Sequence, residues 1–215
     1  QGMEDAEKMA SMTAEHLGIS KSQVLVCSTG VIGVPLPMDL ISKGIKAIEL
    51  KEKDHEFARA ILTTDTRTKE FAVSVDIAGS EIIISGTAKG SGMIHPDMAT
   101  MLAFLTTDVA IEPTYLRSLF QRVVHETFNM ATIDGDTSTN DTALIFANGE
   151  AGNKLLDSES AQSIQFEHAL RTICDELTKK LVHDAEGSSK IFSVRVEGAR
   201  NQEDARVAAK TIASS

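Results

Sequence analysis

The stretch KGSGMIHPDMATMLAFLTTD, residues 89–108, joins a glycine-rich loop, a turn and an apolar run. Residues 89–92 form the loop, and the dipeptide Pro96-Asp97 that follows is typical of turns. The run from Met101 to Leu105 predicts a buried strand, and Thr100 stands directly before it. The position of this hydroxyl side chain, behind a loop expected to be flexible and at the start of a buried strand, requires a chemical or a structural explanation.

The chemical explanation is self-cleavage of the chain before Thr100. Its hydroxyl could attack the carbonyl carbon of Ala99, and hydrolysis of the resulting ester would leave a chain that begins with threonine. The α-amine of that new terminus could deprotonate the threonine's own hydroxyl, because its ordinary pKa is about 7.7–8. A purely structural threonine is the more common case for such a pattern, so the residues alone leave both interpretations open.

The other short motifs are weaker evidence of a function. The turn Ser28-Thr29-Gly30 could direct backbone N–H groups at an oxyanion, although a plain turn is more common. Lys89 precedes both loop glycines, whereas a phosphate-binding loop has its lysine after the second one. The acidic loop DGDTSTND, residues 134–141, has Thr139 where a calcium-binding EF-hand loop needs glycine. A loop that hydrogen-bonds to its own backbone is therefore the favoured interpretation of these eight residues.

Bulk composition limits the class of protein. The 215 residues are 42% apolar and 24% charged, with a formal net charge of −10, which argues against a DNA-coating protein or one that binds membranes through a polybasic surface. No apolar stretch reaches the roughly 18–20 residues that a membrane span needs. Cys27 and Cys174 belong to no metal-ligand spacing, so we expect free thiols in a reducing compartment and no bound metal.

The periodicity of apolar residues predicts alternating helices and strands. Helices are expected over residues 3–17, 38–50, 114–128, 162–182 and 204–212, and strands over 23–27, 70–77, 81–85, 101–105, 143–147 and 191–196. Hairpins and half-exposed strands favour an α/β class of the layered α+β kind, with helices outside the sheets. Residues 1–215 are predicted to form a single catalytic domain.

Five segments carry a resemblance to a known family. They are CSTGVIGVPLPM (27–38), TTDTRTKE (63–70), AKGSGMIHPDMATMLAFLTTD (88–108), IDGDTSTNDTALIFANGE (133–150) and DAEGSSK (184–190). In this order they resemble the glutamate N-acetyltransferase/ornithine acetyltransferase family of arginine biosynthesis. The resemblance implies a fold like that of the DmpA group and the N-terminal-nucleophile hydrolases. It also implies that the chain is the central part of a longer enzyme, whose N- and C-terminal segments supply further substrate contacts.

The same resemblance implies roles for individual residues. Cleavage between Ala99 and Thr100 would make Thr100 the nucleophile, and it would carry acetyl from N2-acetylornithine to glutamate. Thr29 and Gly30 would form the oxyanion hole. Thr63, Lys89, Thr100 and Glu186 would bind substrate, with Lys89 suited to a carboxylate or developing negative charge. Residues 184–190 read DAEGSSK where the family usually has DGEGATK, a difference that keeps the acidic residue.

The resemblance also bears on cofactors, assembly and compartment. No cofactor or metal is expected, although acetyl-CoA is a possible second acetyl donor. The partners are small-molecule substrates, and the α- and β-chains cut from one precursor would assemble as a heterotetramer with two of each. A cytoplasmic location is expected, or the mitochondrial matrix for a fungal protein. The alternatives are an aminopeptidase or amidase on the same scaffold, with water as acyl acceptor, and a degenerate scaffold without activity.

Overall fold

The computed structural model describes residues 1–51, 55–94, 101–135 and 138–215. The chain divides into two compact units, residues 1–54 and residues 55–215. The single domain over residues 1–215 that the sequence suggested stays a prediction.

The first unit contains two helices that pack against each other, α1 (Gly2–Leu17) and α2 (Met38–Lys46). Helix α1 ends as predicted at Gly18, whose left-handed backbone (φ 67°) directs its N–H to the last carbonyls of the helix. Helix α2 ends at Lys46, before the predicted end near Leu50. Both predicted helices are therefore confirmed, the second in shortened form.

The strand predicted over residues 23–27 is wrong. Lys21–Gln23 form a single 3-10 turn, in which the Ser20 hydroxyl accepts from Ser22 N and the Gln23 side chain accepts from Ser20 N. The backbone N–H groups of Gln23 and Val24 donate to carbonyls within this turn, at 2.9 and 3.2 Å. This reciprocal capping competes with strand pairing at the start of the apolar run, and the short apolar pattern could not reveal it.

The second unit contains a four-stranded sheet in the order β1-β2-β3-β4. The strands are β1 (Lys69–Ile77), β2 (Ser80–Lys89), β3 (Leu102–Thr107) and β4 (Thr142–Ala147). Strands β1, β2 and β3 pair antiparallel, whereas β3 and β4 pair parallel. Parallel pairing needs a long crossover, and the residues between β3 and β4 include a helix that serves this purpose.

The predicted hairpin of β1 and β2 is confirmed. Ala78 and Gly79 at its tip have φ of 54° and 87°, as the two central residues of a tight type I′ hairpin turn require. Strand β2 continues to Lys89, beyond the predicted end at Ser85, because its second half pairs with β1 on one side and β3 on the other.

The described residues of the second unit also form four α-helices: α3 (Glu56–Ala60), α4 (Pro113–Glu126), α5 (Ala161–His183) and α6 (Gln202–Ala213). Helix α5 packs against β1 and β2, and α4 packs against α5. The fully buried side chains of the core come from sheet and helices alike, including Ile82, Ile84, Leu105, Leu119, Phe166, Leu170, Ile173 and Leu177. The predicted mixed α/β class is confirmed.

The strand predicted over residues 191–196 is wrong. No ladder joins this segment to the four strands in the described part of the chain, and Ile191 and Phe192 are 43% and 68% exposed. Alternating apolar and polar residues fit a half-buried strand only where a neighbouring strand offers its edge. The sequence pattern contains no information about such a neighbour.

Within the described residues, no helix combines the length and the apolar character that crossing a bilayer requires.

Replacement of Gly86 by alanine tests how closely α5 approaches the sheet. The added methyl group would lie 3.0 Å from Leu177 Cδ1 and 3.2 Å from Leu105 Cγ, both in fully buried side chains. We expect Gly86→Ala to lower the free energy of unfolding by about 1–3 kcal/mol through overpacking. Gly44→Ala in α2 is the control, because nothing lies within 4 Å of the added carbon; it should raise stability by about 0.5–1 kcal/mol. Equal effects in chemical denaturation would contradict the packing.

Candidate active site

A buried lysine joins two of the family-like segments. The Lys69 side chain, at the start of β1, is 1% exposed, and its Nζ donates to Asp65 Oδ1 and to Asp184 Oδ2, each at 2.6 Å. Asp65 belongs to the segment TTDT and Asp184 to the segment DAEG. One ammonium group between two carboxylates therefore fixes residues 63–67 next to residues 184–187.

The two carboxylates also bind backbone groups of these segments. Asp184 Oδ2 accepts from Thr66 N at 2.9 Å, and its Oδ1 accepts from the Thr66 hydroxyl. Asp65 Oδ1 accepts from Gly90 N at 2.6 Å, and its Oδ2 accepts from Thr63 N at 3.2 Å. Asp65 thereby connects the segment of Thr63 to the loop that follows β2.

These contacts favour the ionised form of both aspartates. Burial by itself raises the pKa of Asp65, but hydrogen bonds from Lys69, Gly90 N and Thr63 N outweigh it and leave that pKa below its ordinary value. For Asp184 too, burial opposes ionisation, while Lys69 and both donors of Thr66 lower the pKa below its ordinary value. Both aspartates are therefore ionised at neutral pH.

Lys89, the last residue of β2, lies beside Thr63. Its side chain is 1% exposed, and Nζ donates to Thr63 Oγ1 at 2.7 Å. Burial lowers the pKa of Lys89, and Lys69 adds to this effect, whereas Asp65 and Asp141 oppose it. Among the described residues, Nζ donates to Thr63 Oγ1 alone. The other N–H groups of the ammonium can therefore donate to a ligand.

Glu186 reaches the same end of the sheet through the loop after β2. Its N–H donates to Ser91 O at 2.7 Å, and the Ser91 hydroxyl lies 2.6 Å from that of Thr64. A methyl group added at Gly92 would lie 3.1 Å from Glu186 Oε2 and 3.8 Å from Asp134 Oδ2. Gly92 therefore allows the exposed carboxylate of Glu186 to approach the loop backbone closely.

The loop after β2 is held in place up to Ile94, contrary to the flexibility expected from its glycines. Gly90 has φ 143° and Met93 has φ 54°, and the Asp134 carboxylate accepts from both Met93 N and Ile94 N. Ile94 O accepts in turn from Ile133 N at 2.7 Å. The left-handed conformation of Met93, which is unfavourable for a side chain other than glycine, is thus stabilised by bonds to a second loop.

Asp141, which directly precedes β4, holds the chain at the start of β3. Its Oδ1 accepts from Met101 N at 2.8 Å, and Met101 directly follows Thr100 in the chain. Burial raises the pKa of Asp141 to about 6, although the Met101 amide, the Ser138 hydroxyl and Lys89 all favour its charged form. This half-buried carboxyl therefore titrates close to neutrality.

The structure brings together three of the residues predicted to bind substrate, Thr63, Lys89 and Glu186, around the C-terminal end of β2. Ala99 and Thr100, the predicted cleavage site and nucleophile, lie outside the described residues. Thr29 and Gly30 lie in the first unit, where Gly33 (φ 82°), not Gly30, adopts the left-handed conformation. The roles of all these residues stay predictions.

Sequence reasoning missed four charged residues: Asp65, Lys69, Asp141 and Asp184. Asp65 and Lys69 stand four apart within one segment, and Asp184 stands two residues before Glu186, so their positions beside predicted site residues were an available signal. No local signal predicted the pairing of Lys69 with Asp184, because the two residues lie 115 positions apart in the chain.

In the described ranges, no group of three or more His, Cys, Asp or Glu side chains is able to hold a metal ion.

The fold and this site define a mixed α/β protein with a buried, charged polar centre at one end of its sheet. The ArgJ family model matches residues 1–215. The chain belongs to the ArgJ family.

Individual relatives agree with this assignment. The chain is 47% identical over 215 residues to the "arginine biosynthesis bifunctional protein ArgJ" of Dehalococcoides mccartyi strain CBDB1, covering all of this chain and 53% of that one. It is 48% identical over 218 residues to the Bacillus cereus ATCC 10987 protein of the same name, covering 54% of it. The chain thus spans about half the length of these curated relatives.

The crystal structure of the arginine biosynthesis bifunctional protein argJ from Bacillus halodurans is 39% identical, with a TM-score of 0.49 over 51% of each chain.

Replacement of Lys69 tests the central ion triad. We expect Lys69→Met to lower the free energy of unfolding by about 3–5 kcal/mol, because two buried carboxylates would lose their counter-ion. Lys179→Met is the matched control, since Lys179 forms an exposed pair with Glu176. That variant should unfold at nearly the wild-type denaturant concentration. Similar stability of the two variants in urea would contradict a structural role of the triad.

Acid stability follows from the lowered pKa values of Asp65 and Asp184. A carboxyl whose pKa is lower in the folded than in the unfolded state stabilises the fold above its unfolded pKa of about 3.9, and this contribution disappears as the pH falls through the folded pKa. We expect the free energy of unfolding to decrease between about pH 5 and pH 2. The decrease should be smaller in Lys69→Met, as denaturant titrations across this range would reveal.

Proposed function

We propose that the full-length protein is an acetyltransferase of arginine biosynthesis, a glutamate N-acetyltransferase of the ornithine acetyltransferase type. The observation that carries this proposal is the grouping of Thr63, Lys89 and Glu186 at one strand end. Membership of the ArgJ family, whose relatives are named arginine biosynthesis bifunctional proteins, supports it.

The reaction has two acyl-transfer steps through Thr100. After cleavage of the Ala99–Thr100 bond, the α-amine of Thr100 removes the proton of its own hydroxyl, and Oγ attacks the acetyl carbonyl carbon of N2-acetylornithine. The C–N bond breaks, ornithine leaves with the transferred proton, and an acetyl ester remains on Thr100. The α-amine of glutamate then attacks this ester, which gives N-acetylglutamate and restores the free hydroxyl.

The site residues match the charges of these substrates. Lys89 is suited to a substrate carboxylate, because Thr63 holds it in place and the charges of Asp65 and Asp141 oppose the lowering of its pKa by burial. Glu186, whose exposed carboxylate lies close to Gly92, is suited to a substrate amino group. Thr29 and Gly30 would donate to the oxyanion that forms at the acetyl carbonyl in both steps.

The remaining proposals concern donors and assembly. The protein's own residues supply every group that these two steps require, so no cofactor or metal is proposed, and acetyl-CoA is proposed as a second acetyl donor. Cleavage would give an α-chain and a β-chain that begins at Thr100, assembled with two copies of each. A cytoplasmic location is proposed on the basis of the bacterial relatives.

Replacement of the proposed nucleophile tests this function. Thr100→Ala in the full-length protein should give one uncleaved chain and no glutamate-dependent release of ornithine from N2-acetylornithine, because both reactions need the hydroxyl. The measurements are gel analysis and a coupled assay for ornithine. Thr106→Ala is the matched control, because Thr106 is an exposed residue of β3 whose hydroxyl pairs with Ser85.

Cleavage and full exchange in Thr100→Ala would contradict the mechanism. Release of ornithine by the wild-type enzyme at the same rate with and without glutamate would favour the amidase alternative, in which water accepts the acetyl group.

A further inference from the structure

Residues 141 and 142 hold both backbone groups of Met101. Asp141 Oδ1 accepts from Met101 N at 2.8 Å, and Thr142 N donates to Met101 O at 3.0 Å. Met101 is 4% exposed, and the parallel pairing of β3 with β4 begins one residue later, at Leu102 and Thr142. The start of β4 therefore fixes the chain at the residue that directly follows Thr100.

Asp141 also faces a buried cation. Leu102 pairs with Lys89 on one side and with Thr142 on the other, so Met101 and Asp141 lie one residue before the level of Lys89 in the sheet. Lys89 favours the ionised form of Asp141, and Asp141 favours the protonated form of Lys89. Lys89 and the Ser138 hydroxyl are the side chains that favour the Asp141 carboxylate, and the Met101 amide does so from the backbone.

Hydrogen bonding within the described fold does not explain why the second carboxylate oxygen of Asp141 is buried. Asp141 Oδ2 is buried and receives no well-formed hydrogen bond from the described residues. Burial of a carboxylate oxygen in this state is unfavourable, and a structural acceptor for one backbone N–H could be an asparagine without the cost of a charge. The charge itself is therefore the property that requires a function.

We propose that Asp141 is a positioning residue for acetyl transfer: its carboxylate fixes the Met101 backbone behind Thr100 and balances the charge of the Lys89 ammonium group. This inference rests on the proposed function. The charged carboxylate binds the Met101 N–H more strongly than a neutral carboxyl would, and it keeps the neighbouring lysine cationic in a buried place. Asp141 acts through Met101 and Lys89 and takes no part in bond making or breaking.

The test is the pH dependence of Asp141→Asn in the full-length, processed enzyme. Asparagine keeps the size of the side chain and an acceptor for Met101 N–H, but it cannot ionise. We expect kcat/KM for N2-acetylornithine to be about tenfold lower than wild type at pH 8 and equal to wild type near pH 5. The ratio of wild-type to variant activity should rise through an apparent pKa of about 6, the value at which Asp141 titrates.

Two controls separate this effect from loss of structure. Asp157→Asn changes an exposed aspartate and should leave the ratio at one across the pH range. Asp141→Ala removes the acceptor as well, so its activity should lie below that of Asp141→Asn at every pH, and thermal unfolding of both variants reports on folding.

The outcomes are distinct. A pH-dependent ratio supports the inference. The inference is overturned if the wild-type enzyme exchanges acetyl normally and Asp141→Asn is equally active, or if the ratio of wild-type to variant activity does not change with pH. Either result leaves the proposed function intact. A wild-type enzyme without glutamate-dependent exchange overturns the proposed function and the inference together.

Discussion

The placement of Lys69 between Asp65 and Asp184 is the interaction on which the candidate site depends. A single buried ammonium group joins the segment before β1 to the segment after α5, and the same carboxylates bind the backbone of residues 63–67 and Gly90. Removal of the cation would leave two buried carboxylates without a counter-ion, which is far less favourable than the loss of an exposed pair. The triad thereby holds the segment that carries Thr63 next to the segment that carries Glu186.

The second constraint is the sheet itself. Strands β2 and β3 bring Lys89 next to Leu102, and the parallel addition of β4 brings Asp141 next to Met101. The chain on either side of residues 95–100 is thus anchored by carboxylates, Asp134 before it and Asp141 after it. Fixed ends of this kind suit the proposed cleavage, which needs the Ala99 carbonyl carbon and the Thr100 hydroxyl close together.

Much of the fold was predictable from local patterns, whereas the charged contacts were not. The amphipathic helix α5 and the Ala78-Gly79 hairpin have strong signals within a few residues, and both were predicted. Residues 23–27 and 191–196 have the apolar pattern of strands, but a strand also needs an edge to pair with, and no local pattern specifies one. Motif resemblance identified Thr63, Lys89 and Glu186; Lys69 and Asp184 escaped because their partners lie more than a hundred residues apart.

The acetyl-enzyme is the central intermediate of this mechanism, its removal by glutamate distinguishes acetyl transfer from hydrolysis, and intact-mass analysis of the full-length protein detects it directly. The protein is incubated with N2-acetylornithine in the absence of glutamate, and the chains are then separated and sequenced from their N-termini. Our proposal predicts a chain that begins at Thr100 and carries one acetyl group, which disappears when glutamate is added. A single uncleaved chain, or a cleaved chain that never gains an acetyl group, would contradict it.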